Sequence, residues 1–170
     1  GTTVDTLVRT PPSNPTRANG QSSRGAYPWV GGAKLDEVGS AGMQLDAWGA
    51  TLTAKKSWFM FDGEVVCLGA GITSADNRTI ETIIENRRLI TSGGTNAFLI
   101  NGSAKPATLG WSEALTNVCW AHLAGPVAGA DIGYYFPQAA SVQGLRAART
   151  GSWNDVNTGG STNPVTRNYL

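Results

Sequence analysis

Apolar or small residues alternate with polar ones from Gly42 onward. In "GMQLDAWGATLTAKKSWFMF", Met43, Leu45 and Ala47, then Leu52, follow a period of two, the pattern of a β-strand. Two apolar runs then meet at Asp62-Gly63 inside "KKSWFMFDGEVVCLGAGI", Lys55 to Ile72. Read as a hairpin with a two-residue type I′ loop, this stretch pairs Phe61 with Glu64, Met60 with Val65, Phe59 with Val66 and Trp58 with Cys67. One face then carries Trp58, Met60, Val65 and Cys67, and the other carries Phe59, Phe61, Val66 and Leu68. A strand pair apolar on both faces belongs in the middle of a layered structure. Any of its aromatic residues left exposed would mark a surface that something else covers.

The remaining pattern is weaker. Residues 1–40 are rich in Pro, Gly, Asn and Ser with little periodicity and read as an irregular lead-in. "DNRTIETIIENRRLI" is open by pattern alone. Ile80, Ile83, Ile84 and Arg87 fit a helical face that Asp76 could cap, whereas Thr79, Ile80, Thr82, Ile83 and Ile84 are β-branched. "TNAFLINGSAKPATLG" reads as a strand, an Asn-Gly turn and a lead-in. "LTNVCWAHLAG" and "DIGYYFP" read as two short strands, and "ASVQGLRAARTGSWNDVN" as one more ending in a polar turn. Short strands at this spacing predict an all-β, antiparallel β-sandwich over residues 1–170 as a single domain.

Composition agrees. Of the 170 residues 41% are hydrophobic and only 15% charged, with 22 glycines and 6 tryptophans, a balance of uncharged turns and strands. A net charge of +1 without like-charge runs argues against nucleic acid or an anionic membrane as partner. No apolar run reaches transmembrane length. The opening "GTTVDTLVRT" has neither a basic start nor an apolar stretch, and reads as a mature or cut chain. Cys67 and Cys119 both sit in apolar segments and read as buried free thiols on strands rather than a disulfide.

With these motifs in order, the chain resembles the central β-domain of family 8 polysaccharide lyases. The resemblance is carried by "GTTVDT", "KSWFMFDGEVVCLGAGI", "ETIIENRR", "GYYFP" and "RTGSWNDVN". These are secreted bacterial enzymes that degrade hyaluronan, chondroitin and xanthan by β-elimination at a uronic acid. The resemblance implies that "ETIIENRR" is a strand and that the chain is an internal piece of a large multi-sheet β-domain. It implies as partners an acidic polysaccharide and the rest of the parent enzyme, an α/α-toroid and a C-terminal β-domain. The toroid carries the family's catalytic Asn, His, Tyr and Arg, so no catalytic residue is expected here, and the piece alone is expected to be inactive. Hyaluronan or chondroitin is the expected substrate over xanthan, and secretion the expected localisation. The alternatives are a non-catalytic carbohydrate-binding β-sandwich and a purely structural β-domain.

Candidate chemistry is sparse. His122, the only histidine, stands in "NVCWAHLAG", which matches no catalytic motif of the family, and reads as an ordinary strand residue. Glu81 and Glu85, on one strand, would lie roughly 13 Å apart at about 3.3 Å per residue. That is beyond the spans of about 5–5.5 Å and about 6.5–9.5 Å that glycosidase pairs need. No metal-ligand spacing is present and no cofactor is expected; Asp5 is the one conceivable contributor to a structural calcium site. The candidate sugar contact is the loop 16–31, with Arg17, Asn19, Arg24, Tyr27 and Trp29, since aromatic rings stack on sugars and arginines pair with carboxylates. The simpler reading has this loop packed on its own domain through Tyr27 and Trp29. Arg87 and Arg88 read as a solvated strand end.

Overall fold

The structure, a computed structural model, describes residues 29–47, 50–89, 96–155 and 159–170, with residues 2–5 as backbone. It divides into two compact units, Gly1–Ile84 and Glu85–Leu170. Every strand pairing is antiparallel, and no α-helix occurs among the described residues. The all-β reading of the alternation holds.

The first unit contains β1 (Thr2–Asp5), β2 (Val30–Leu35), β3 (Val38–Asp46), β4 (Thr53–Phe61), β5 (Glu64–Thr73) and β6 (Ile80–Ile83). Strands β2 to β5 form a four-stranded meander in sequence order, and β1 pairs with β6. The lead-in therefore differs from expectation: residues 1–40 include β1, β2 and the start of β3. The sequence "VGGAKL" of β2 shows no apolar alternation, and all six residues are exposed. Backbone pairing to β3, from Val30↔Met43 to Leu35↔Val38, makes it a strand.

The β4–β5 hairpin has the expected register, with Phe61↔Glu64, Met60↔Val65, Phe59↔Val66 and Trp58↔Cys67. Its turn is not the expected type I′, because neither Asp62 nor Gly63 adopts a positive φ. The ambiguous segment is strand only over Ile80–Ile83, and beyond it Arg88 makes one isolated bridge to Tyr169. Asp76 caps no helix. Its Oδ2 accepts the Thr51 amide at 2.7 Å and the Arg78 guanidinium at 2.5 Å, tying the exit of β5 to the entry of β4. The Thr51 amide is the main reason the Asp76 carboxyl sits below its ordinary pKa.

The second unit contains β7 (Phe98–Ile100), β8 (Ser103–Ala104), β9 (Ser112–Leu123), β10 (Ile132–Leu145), β11 (Ala147–Gly151) and β12 (Val165–Tyr169). Strands run β10-β9-β7-β8 in one sheet, and β11 pairs with β12. The segments read as two short strands are parts of β9 and β10, of 12 and 14 residues. Register shifts between Tyr135 and Val142 keep these long strands paired by absorbing extra residues. The type I′ turn lies here, at Asn101-Gly102, with φ of 47° and 85°. The Asn101 side chain reaches into the irregular part of β9. Its Nδ2 donates to Asn117 O at 2.9 Å, and its Oδ1 accepts the amides of Cys119 at 2.9 Å and Trp120 at 3.1 Å.

One face of this sheet is the core. Ile100, Leu115, Val118 and Ala121 are buried, and Phe98, Trp111, Tyr134, Phe136 and Val142 pack against them. Arg146 is buried to 1% exposure and donates from Nη2 to Asn96 O at 2.7 Å. Burial pushes its guanidinium pKa down. Both cysteines are free and on strands, but exposed rather than buried. Cys67 lies in a strand whose ten residues are all exposed, so an apolar run did not mean burial within this chain.

Two substitutions test this account. Leu123 is fully buried, so Leu123→Ala should cost about 2–5 kcal/mol in urea denaturation. Asn101→Pro should destabilise far more than Asp62→Pro, because proline cannot adopt the φ of 47° seen at Asn101. Equal midpoints for the two proline variants would contradict the turn assignment.

Candidate functional site

Residues facing each other across an antiparallel pair share a face, and alternate residues along a strand change face. On the β2–β5 sheet the registers therefore set out rows across one face. Leu35, Val38 and Phe61 with Glu64 make the first, at the β4–β5 turn. Ala33, Ser40, Phe59 and Val66 make the second, and Gly31, Gly42, Ser57 and Leu68 the third. The fourth holds Gln44, Lys55 and Ala70, with Trp29 opposite Gln44, whose amide donates to Trp29 O at 3.0 Å. This face grades from apolar at the turn to polar at the Trp29 end.

Of the candidate sugar-contact residues, Arg17, Asn19, Arg24 and Tyr27 lie outside the described residues. Trp29 is described, and it is 57% exposed. The far edge of its indole lies over Gly42, where a Cβ would meet Cζ3 and Cη2 of the ring. The glycine is needed for that close approach, and the ring shields a strand residue that has no side chain of its own. Trp111 does the same one unit further on, over Gly144, from the same diagonal position across β9 and β10. The two rings differ in what surrounds them. Trp111 is half-buried, edge-on to Phe98 at 6.2 Å, and donates from Nε1 to Glu113 at 3.1 Å.

The residues beside Trp29 were missed in the sequence. Gln44 and Lys55 are direct cross-strand partners on its face. Lys55 is exposed and has no ion-pair partner among the described residues, whereas neighbouring Lys56, on the opposite face, is buried. With strands about 4.8 Å apart, the backbone positions of Trp29 and Lys55 lie roughly 10 Å apart. An aromatic ring, an amide and a cation on one face suit a sugar ring, its hydroxyls and its carboxylate. The signal that could have found them is the alternation itself, since Gln44 falls between Met43 and Leu45, and Lys55 follows Ala54.

The groups resembling acid–base machinery are occupied within the second unit. His122 Nε2 stands 3.0 Å from Asp131 Oδ2, and Asp131 Oδ1 accepts the Gly125 amide at 2.9 Å, closing the β9–β10 connection. Tyr134, on the opposite face from His122, donates its hydroxyl to Glu85 Oε2. Burial first, and the Glu85 carboxylate second, push the tyrosine pKa far up. Glu85 also receives Arg87 Nε at 3.3 Å. Arg87 is thus ion-paired rather than simply solvated. Glu85 lies beyond the end of β6, so it does not share a strand with Glu81. Among the described residues no three or more His, Cys, Asp or Glu side chains group as a metal site, and the side chain of Asp5 is outside the description.

Asp131 gives a pH prediction. The Gly125 amide chiefly, and His122 beside it, hold its carboxyl below the ordinary value of 3.8. A carboxyl lowered on folding contributes stability that is complete above the ordinary value and is lost as pH falls through the lowered one. Asp131→Asn should therefore flatten the fall in thermal midpoint below about pH 4.

Comparison with known proteins supplies the context. Residues 1–170 match the super-sandwich domain of polysaccharide lyase family 8. The xanthan lyase of Bacillus sp. (strain GL1) is 48% identical over 136 residues, 78% of this chain and 14% of that protein. The hyaluronate lyase of Thermasporomyces composti is 42% identical over 142 residues, 84% of this chain and 18% of that protein. The solved structure of Paenibacillus xanthan lyase superimposes with a TM-score of 0.78 at 53% identity, over 83% of this chain and 14% of that one. The chain thus spans about a sixth of the length of these relatives. The β-sandwich class expected from the alternation is that of the matched domain, and the chain belongs to polysaccharide lyase family 8.

Proposed function

We propose that this chain is the scaffold and one wall of the substrate cleft in a secreted lyase that cleaves uronate-containing polysaccharide by β-elimination. The observation that carries the reading is the match of residues 1–170 to the family's super-sandwich domain, with relatives named as xanthan, hyaluronate and chondroitin lyases. The elimination needs a group to neutralise the uronate carboxylate, a base for the C5 proton and an acid for the leaving glycosidic oxygen. Here His122 and Tyr134 are committed to Asp131 and Glu85, so the base and acid are assigned to the remainder of the whole protein.

The part of this chain in the reaction is binding. Trp29 stacks on a sugar ring, Gln44 hydrogen-bonds a hydroxyl and Lys55 pairs with a carboxylate. Identity to xanthan lyases at 48% and 53% makes xanthan a substrate to set beside hyaluronan and chondroitin.

The test is the full-length protein incubated with each of the three polymers. Absorbance of the C4–C5 double bond should rise with at least one, and the activity should be found in the culture medium. Binding without unsaturated product would favour the carbohydrate-binding alternative. Lys55→Gln should raise KM about ten- to a hundred-fold, as loss of a charge-assisted hydrogen bond worth about 1.5–3 kcal/mol predicts, with kcat changed little. Gly42→Ala, which displaces the indole, should move KM in the same direction as Trp29→Ala.

A further inference from the structure

Arg88, Arg149 and Arg167 of the second unit share one face. Arg87 and Leu170 exchange amide-to-carbonyl bonds at 2.9 and 3.0 Å, and Arg88 bridges Tyr169, so this segment lies along β12. Strand β12 pairs in turn with β11, setting Tyr169 opposite Ala147 and Arg167 opposite Arg149. Alternation then puts Arg88, Tyr169, Arg167 and Arg149 on the same side. Arg88 and Arg149 are exposed and Arg167 is half-buried. The Arg149 guanidinium lies 4.9 Å from the centre of the Tyr169 ring and donates from Nη1 to Asn86 Oδ1 at 2.8 Å. Arg167 donates from Nη1 to the carbonyl of its neighbour Thr166 at 2.8 Å.

None of these arginines has an ion-pair partner among the described residues, whereas Arg78, Arg87 and Lys105 each do. The nearby carboxylates are engaged elsewhere. Glu85 holds Arg87 and Tyr134, and Asp155, beside Gly151, accepts the Ser152 amide at 2.6 Å. Like charges directly opposite on paired strands repel and cost stability. Arg149 and Arg167 are such a pair, and Asn86 with the Tyr169 ring fixes Arg149 there. Cations held in place without counter-charge are preorganised for an anion.

We infer that Arg88, Arg149 and Arg167 form an anion-binding face that takes carboxylates of an acidic polysaccharide, in addition to the Trp29, Gln44 and Lys55 row. The planar guanidinium fork matches a carboxylate with two parallel hydrogen bonds. Nucleic acid is the poorer match. Duplex DNA carries one charge about every 1.7 Å, whereas these arginines stand on strands about 4.8 Å apart. The choice of a polysaccharide rests on the lyase reading above, but binding at this face does not require that the polymer be cleaved.

The test uses the full-length protein in native gels cast with hyaluronan, chondroitin, xanthan or uncharged dextran and run in the cold. At least one acidic polymer should retard the unmodified protein, and dextran should not. Arg88→Gln combined with Arg167→Gln should raise the apparent Kd about five-fold or more, as loss of two exposed ion pairs predicts. Arg88→Lys combined with Arg167→Lys, which keeps the charge and loses the fork, should fall between the two. The thermal midpoint of Arg167→Gln should not fall, because its guanidinium bonds no other strand and its removal relieves repulsion. Retardation unchanged in the glutamine variant would overturn the inference, as would equal retardation by dextran. Tighter binding of duplex DNA than of every acidic polymer would assign the face to nucleic acid and also overturn it. Retardation weakened by the glutamine pair supports it even where no polymer yields unsaturated product, a result that would remove the lyase reading alone.

Discussion

The register of the β3–β4–β5 pairing is the constraint on which the first unit depends. It places Phe59 beside Ser40 and Val66, and Trp58 beside Ala41 and Cys67. Because side chains change face at every residue, a slip of one position would send each to the opposite side. The apolar face, the polar row at its end and the separation of Lys55 from Lys56 all follow from that register. The turn at Asp62-Gly63 only closes it, and does so without positive φ at either residue. Tying of the opposite end by Asp76 to the Thr51 amide and Arg78 holds β4 and β5 in line where no tight turn joins them.

A second recurring device is the tryptophan laid over a glycine on the neighbouring strand. Trp29 over Gly42 and Trp111 over Gly144 share one geometry: the ring residue immediately precedes the first strand of an antiparallel pair, and the glycine lies diagonally across it. In the second unit the ring is incorporated into the core beside Phe98, with Glu113 accepting its Nε1–H. In the first the ring stays exposed, at the end of a face with an amide and a cation. The local packing is the same, and only the surroundings differ, a core around Trp111 and an exposed face around Trp29.

Polar chemistry in the second unit is spent on holding strands. Asn101 satisfies three backbone groups of β9 where its ladder is irregular, His122 and Asp131 close the β9–β10 connection, and Tyr134 is anchored to Glu85. The Tyr134–Glu85 pair is part-buried, where a polar group is costly when unpaired, so it stabilises one arrangement of the sheet against others.

Alternation alone determined the strand class, the β4–β5 hairpin and the pairing across it, because period-two patterning is a local property that needs no partner. It also carried the two-faced apolar character of that hairpin, for which burial of each large side chain is worth about 1.5–3 kcal/mol. Only the tertiary structure decided the rest. Strand β2 has no apolar period and exists through backbone pairing with β3, which no side-chain pattern reports. Turn type depended on backbone angles, so the same two-residue spacing gave positive φ at Asn101-Gly102 and not at Asp62-Gly63. Gln44 and Lys55 came to lie across from Trp29 only through successive strand pairings that bridge as many as 26 positions of sequence. Whether an apolar residue is buried is set by what lies above its sheet, which is why Cys67 and Phe61 read as interior in the sequence and are exposed in this chain.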